Sequence, residues 1–365
     1  MLVIEMLPAG HGDALVVEYG TRDDTHRVLV DAGTRHSWDE VRARLAAMPD
    51  RRYEAFVVTH VDEDHIGGSI KLLGDAGLRS RIRDVWFNGF VHSRRGGNVL
   101  GPVDGERLTK LIVDGGFRWN EPFPDRVSPG VGGPVVVPSA GPLPRFELPG
   151  GATAVLLSPS PPKLKRMANE WEKTVLAAGL VPGEGAGGAG SGGGIFTKKV
   201  KALPKNLSEA QLAKLAGPTD RDDKAPNGSS IAFVLEHGGK RALLGADAHP
   251  DVLVPALRRY AEEVGEARVR IDLCKLPHHA SAGNVTSELI SVMDARRYLV
   301  STNGDKFAHP DDVALARIIV SSKRPPTICC NFATARTTPW VDRGAALGAT
   351  VVLPKPGRSG LRVSG

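Results

Sequence analysis

The sequence predicts a mixed α/β protein, one domain in which buried strands end in polar side chains and helices return the chain. Three observations predict it. Apolar runs such as Ala55-Phe56-Val57-Val58 and Tyr298-Leu299-Val300 recur between helix-length stretches. Several of these runs exit directly into His, Asp or Asn. One long stretch, about 160–226, fits neither pattern and reads as a Gly-rich and helical insertion. At 365 residues, 41% hydrophobic and 24% charged, the chain has the composition of a soluble globular protein with a core of normal size.

Residues 2–7, 14–19 and 28–33 read as strands, and 38–48 as an amphipathic helix stopped by Pro49. The loop Gly10-His11-Gly12-Asp13 has flexible backbone on both sides of His11, which suits either a ligand-touching loop or a plain hairpin turn. Asp31, at the end of its strand, is placed to support a neighbouring site from behind.

The strand at 55–58 leads into His60-Val61-Asp62-Glu63-Asp64-His65 and then Ile66-Gly67-Gly68. A tight strand-to-helix turn aims His60 and Asp62 at one point and Asp64 and His65 at a second. That arrangement suits two cations about 3.5–4 Å apart that share a water. A merely solvated acidic turn has no need of this order of residues.

Arg79, Arg81 and Arg83 alternate before Val85-Trp86-Phe87, and His92, Arg94 and Arg95 follow. Period-two arginines either track a phosphate backbone or guard the solvent face of an edge strand. A helix is expected at 107–113 and a strand at 152–157. Within the insertion, 163–180 reads as a helix with a basic face, 181–194 as a flexible linker, and Ser208 to Gln211 as a capping box. The insertion is a lid, a regulatory segment open to a partner or protease, or a spacer.

The core resumes at Asn227, and the strand 241–246 runs straight into Asp247, which either caps the next helix or bridges two metals. Strand 271–276 delivers His278 and His279, whose adjacent rings point in different directions. A loop after 298–301 carries Asn303 and His309, the latter a proton donor or a satisfied loop histidine.

The net charge of +6 is compatible with a polyanionic partner without requiring one. No apolar run reaches the 18 or so residues of a spanning helix, so no membrane partner is expected. Residues 1–5 lack signal-peptide features, and the three cysteines read as reduced thiols, so a cytoplasmic location is expected.

In combination these residues resemble the metallo-β-lactamase superfamily, and within it are most similar to the ComEC-type hydrolase domain and the phosphorylcholine esterase domain. The superfamily carries His-x-His-x-Asp-His; here Asp62 stands at the second His, as in the ComEC branch. Gly10-His11-Gly12-Asp13-Ala14 is similar to that branch's Gly-Gln-Gly-Asp-Ala, with His11 for Gln. Pro277-His278-His279-Ala280-Ser281 resembles Pro-His-His-Gly-Ser, and Gly304 through Pro310 resembles Gly-x-x-x-x-Gly-His-Pro, with Ala308 for Gly.

The resemblance implies an αββα sandwich with two divalent ions, Zn2+ or Mn2+, at one edge between the sheets. Carried over, His60, Asp62 and Asp247 hold the first metal, and Asp64, His65, Asp247 and His279 the second. Asp64, His278 and His309 become the catalytic residues, with His11, Asp13, Asn227 and Asn303 on the substrate side. The ligand set is rich in oxygen, which makes manganese a credible rival to zinc. The membrane spans of ComEC proteins are missing, and the insertion is not part of the family pattern. The expected activity is a phosphodiesterase or nuclease acting on nucleic acid; the alternative is a small-molecule phosphoester or lactone hydrolase with the insertion as its lid.

Overall fold

Fifteen strands among the described residues form two sheets. The computed structural model describes residues 1–93, 103–177 and 203–365. The first sheet holds β1 (Leu2–Met6), β2 (Leu15–Gly20), β3 (Thr25–Val30), β4 (Ala55–Val57), β5 (Asp84–Trp86) and β6 (Arg118–Trp119) in chain order. The second holds β7 (Arg145–Leu148), β8 (Ala152–Ser158), β9 (Ala232–His237), β10 (Lys240–Leu244), β11 (Val269–Lys275), β12 (Met293–Val300), β13 (Thr327–Cys330) and β14 (Thr350–Val352), also in order. The last strand, β15 (Leu361–Ser364), returns to pair with β1.

Side-chain alternation builds the layers. Ile4, Met6, Leu15, Val17, Val28 and Val30 pack in one core with Phe233, Leu235 and Leu273 of the second sheet. Val16, Leu29, Phe56 and Val85 point the other way, into a second core with Val41, Leu45, Ile66, Leu72 and Leu108 from the helices. The outer face of the second sheet carries Leu253, Leu257, Tyr260, Leu315 and Trp340 from the helices Pro250–Glu263, Asp312–Ser321 and Pro339–Ala346. Each fully buried aliphatic side chain contributes roughly 1.5–3 kcal/mol, so the sandwich is held by its interlayer core, leaving its polar edge free for chemistry.

Strand direction sets that edge. β3, β4 and β5 are mutually parallel, as are β10 to β14, and β1 runs with β3 because β2 opposes both. Their carboxyl ends gather on one rim, the usual place for a ligand in such sheets. Hydrogen bonds stitch the two sheets together there: Ile231 N to Thr59 O at 3.0 Å, Asn303 N to Gly10 O at 2.9 Å, and Asn331 Nδ2 to Leu7 O at 3.0 Å.

Both flanks of the expected insertion are packed into the fold. Helix Pro161–Ala177 buries Leu164, Met167, Ala168 and Trp171, an apolar stripe at helical spacing. Its Lys163 Nζ lies 2.8 Å from Asp251 Oδ2 and 2.9 Å from His249 Nδ1. Helix Glu209–Leu215 has the capping box expected of Ser208 and Gln211, and it buries Leu212. Arg317 and Arg343 donate to the carbonyls of Ala216 and Pro204. The linker 181–194 and Lys198, Lys199 and Lys201 lie outside the described residues.

The arginine row is corrected. Arg79 closes the short helix Ala76–Arg79, β5 begins only at Asp84, and β5 is an internal strand. Arg81 pairs with Asp50 at 2.9 Å and Arg83 with Glu54 at 3.2 Å. Both stand before the start of β5, at the end of the sheet away from the polar rim. His92 is buried, 5% exposed, and is no part of an exposed basic loop; Arg94 and Arg95 lie outside the described residues. The strand expected from Asn227 begins at Ala232, because Ala225-Pro226-Asn227-Gly228 forms a helical turn. Among the described residues no helix is long and apolar enough to cross a membrane. Cys274, Cys329 and Cys330 are buried and unbridged.

Candidate metal centre

β4 ends at Val57, and the chain turns through His60 into helix Glu63–Gly74, whose first turn holds Asp64 and His65. Two close approaches fix this turn. A Cβ on Gly12 would lie 1.8 Å from the Asp64 carbonyl oxygen, and one on Gly68 1.9 Å from that of Ala32. Only glycine lets the backbones meet there. Asp247 follows β10 and does not cap the next helix, since the N-cap of Pro250–Glu263 is His249. Its carboxylate is therefore free to face the centre.

His278, His279 and Ala280 follow β11 with φ of +48°, +52° and +64°. Left-handed backbone at residues other than glycine costs on the order of 1–3 kcal/mol each. Bonds from His278 N to Ala246 O (2.8 Å) and from Asp311 N to Ala280 O (3.0 Å) hold the turn in place.

The rings converge on Asp247. His65 Nε2 lies 3.4 Å from its Oδ1, while His60, His278 and His279 Nε2 lie 3.9, 3.6 and 3.8 Å from its Oδ2. His279 Nε2 is also 3.4 Å from Asp64 Oδ2, and His60 Nε2 is 3.8 Å from Asp62 Oδ2. Two overlapping groups could each hold a cation, His60-His65-Asp247 and Asp64-His65-His279. Asp62 stands at the edge, its side chain 36% exposed.

Each ring is tied from behind through Nδ1. His65 Nδ1 is 2.8 Å from Asp31 Oδ2, as expected of Asp31, and Thr59 Oγ1 and N hold that carboxylate at 2.8 Å each. His60 Nδ1 is 3.0 Å from Thr59 Oγ1, and His279 Nδ1 is 2.8 Å from Ser301 O. Such backing orients a metal-binding imidazole and presents its Nε2 lone pair.

Electrostatics describe the same need for positive charge. Burial opposes protonation of His279, yet Asp247, Asp13 and Asp64 push its pKa up to about 10. Burial, with His65 nearby, lowers His60 to about 4. Desolvation at the crowded centre, with the Asp64 and Asp247 charges, raises the pKa of Asp62 although its side chain stays partly exposed. A divalent-cation pair fits this donor set: His60, His65 and His279 Nε2 and Asp247 Oδ1 are buried without a hydrogen-bond partner.

The substrate-side candidates divide. His11 and His309 both pack against Phe307, with ring centroids 5.9 and 6.1 Å from it. Burial lowers the pKa of both, His11 to about 4. Asp13 is corrected to a supporting position. It is 1% exposed, and its oxygens meet Lys275 Nζ at 2.6 Å and His279 Nδ1 at 3.4 Å. Asn227 turns its Nδ2 to Asp222 Oδ2 at 2.6 Å, and Asn303 bonds Asp305 at 2.6 Å.

Three residues escaped the sequence reading: Asp222, Asn284 and Lys275. Lys275 had a signal, a lysine in an otherwise buried strand end. Asp222 lay in a polar run and Asn284 in an ordinary loop, with nothing to set them apart.

A carboxylate-rich, histidine-backed cluster at the carboxyl rim of a two-sheet α/β sandwich is the kind of centre that could hold two cations for hydrolysis. Residues 7–142 match the family model described as Metallo-beta-lactamase superfamily, and a domain of that superfamily therefore spans them. Its members are generally metal-dependent hydrolases, and the two-sheet architecture is consistent with their fold. The match contains His60 to His65, whereas Asp247, His278, His279 and His309 lie beyond it. A search of curated proteins found no match to the chain.

Proposed function

We propose that the protein is a metal-dependent phosphodiesterase acting on nucleic acid. The observation that carries this reading is the mouth of the centre. Phe307 is in ring contact with both His11 and His309, with Lys306 Nζ 4.9 Å and Lys224 Nζ 5.9 Å from its ring centroid. A rim of two lysines and an aromatic ring beside a carboxylate-rich floor suits a substrate with a phosphodiester and a planar base. A neutral lactone has no use for the lysines.

His60, Asp62 and Asp247 would hold one cation and Asp64, His65, Asp247 and His279 the other. When bound, the cations would lower the pKa of a water and offset charge on the scissile phosphate. Asp64 accepts a hydrogen bond and so orients the attacking water. His278, with Nε2 3.6 Å from Asp247 Oδ2, would stabilise charge that grows on a non-bridging oxygen. For the leaving alkoxide, His278 and His309 are the available donors. Burial lowers His309, whereas Asp247 and Asp222 outweigh burial at His278 and raise its pKa. Of the two, His278 is shifted toward the protonated form and His309 away from it.

A short phosphodiester is the second reading, favoured by the placement of Arg81 and Arg83 against carboxylates away from the rim. The test is cleavage of single-stranded, duplex and plasmid DNA and of bis(p-nitrophenyl) phosphate, with manganese or zinc and Asp64→Ala as control. DNA cutting that weakens steeply with salt supports the nucleic-acid reading. Turnover of the small diester alone supports the second. Lactone turnover alone overturns both.

A further inference from the structure

We propose that Asp222 is a positioning residue of this centre: it fixes the His278 ring so that Nε2 faces Asp247. The inference rests on the proposed metal centre and adds a residue that neither the sequence motifs nor the family match contains, since Asp222 lies outside residues 7–142.

One carboxylate oxygen is the hub. Asp222 Oδ2 lies 3.2 Å from His278 Nδ1, 2.6 Å from Asn227 Nδ2, 3.1 Å from Asn284 Nδ2 and 3.7 Å from His249 Nε2. Every neighbour is a nitrogen, so the oxygen is a convergent acceptor. Burial opposes its ionisation, but the bonds from His278 and Asn227 hold the carboxyl below the usual range. Asn284 closes the network: its Oδ1 is 2.8 Å from His278 Nδ1 and its Nδ2 donates to Asp247 O at 3.1 Å.

The consequence is a fixed ring direction. Asn284 Oδ1 at 2.8 Å and Asp222 Oδ2 at 3.2 Å hold Nδ1, and Nε2 is the atom presented 3.6 Å from Asp247 Oδ2. His65 with Asp31 is built the same way. The difference is origin: Asp31 ends β3, whereas Asp222 comes from the loop between helix Glu209–Leu215 and the turn Ala225–Gly228. That loop is held by Asp222 N to Gly283 O at 3.2 Å and by Arg317 bonding the carbonyl of Gly217.

The test combines a double-mutant cycle with a substrate-free readout. Asp222→Ala, His278→Ala and the pair are compared in metal-loaded full-length protein for kcat on bis(p-nitrophenyl) phosphate, metal content, and histidine ring 15N–1H correlations. Loss of a carboxylate behind an imidazole typically costs about 10–100-fold. The expected result is a kcat loss in that range with full metal content, a double variant no slower than His278→Ala, and changed His278 ring-nitrogen shifts. Additive losses, lost metal or unchanged ring shifts would overturn the proposal. The ring spectrum needs no substrate, so it separates failure of this inference from failure of the phosphodiester reading. If Asp222→Ala does not fold, the near-isosteric Asp222→Asn carries the same cycle.

Discussion

Lys275 Nζ lies 2.6 Å from Asp13 Oδ2, and both side chains are sealed from solvent. Lys275 ends β11 in the second sheet, while Asp13 belongs to the loop after β1 in the first. The pair joins the sheets beneath the centre, and the other Asp13 oxygen faces His279 Nδ1 at 3.4 Å. Removing one partner of a buried pair leaves an uncompensated charge and costs about 3–5 kcal/mol. Lys275→Met should lower stability by that amount in urea titration. Lys275→Met with Asp13→Asn should recover part of it, and equal losses in the two would show that the pair holds little.

Asp247 and His309 should separate ligand from rim. Asp247 faces all four histidines, so Asp247→Ala should lose metal and activity together. His309 has its ring 5.4 Å from that of His278 and its Nδ1 3.5 Å from Asp311. His309→Ala should lose about a hundredfold in kcat, at the low end of acid–base effects, with full metal content. Metal analysis beside kinetics decides it: a metal-free His309→Ala would end the rim assignment.

The lysines at Phe307 and the arginines before β5 make opposite predictions. Lys224→Ala with Lys306→Ala should raise KM for DNA several-fold and flatten its salt dependence, each lost phosphate contact reducing the slope by about one. Arg81→Gln with Arg83→Gln should change neither. An effect of the arginines on KM equal to that of the lysines would move the substrate track to the far side of the sheet.

Asp84 gives a pH test remote from the metals. Burial pushes its carboxyl up to about 6 from 3.8, against hydrogen bonds from Trp86 Nε1 and Glu121 N. A raised acid favours the protonated fold, so its contribution is intact below about pH 4 and is lost as pH rises through about 6. The loss is about 3 kcal/mol by linkage. Asp84→Asn should therefore gain on the native protein at pH 8 and lose that advantage near pH 4. A gap that is constant between the two pH values would refute the shifted titration.

The sequence alone carried the strand exits. His60, Asp62, Asp64 and His65 are close in the chain, and the continuous apolar run before them is a local pattern. Asp247, His278 and His279 each stand directly beyond an apolar run, so their delivery to a rim was legible too. The arginine row misled because alternation is visible in sequence, while the helix end at Arg79 and the partners Asp50 and Glu54 are not. Helix Pro161–Ala177 was legible as a helix with a basic face, while the packing of its stripe Leu164, Met167, Ala168 and Trp171 shows only in the fold.

What the sequence by itself determined is which side chains end at a strand terminus and in what order, since backbone periodicity and turn chemistry are properties of neighbours. Only the tertiary structure decided that Asp13 backs His279, that Lys275 balances it, and that Asp222 grips His278. Those contacts join residues that are 56 to 266 positions apart in the numbering. Their stability comes from burying opposite charges and matched donors together, and no local pattern records which distant partner will supply the match.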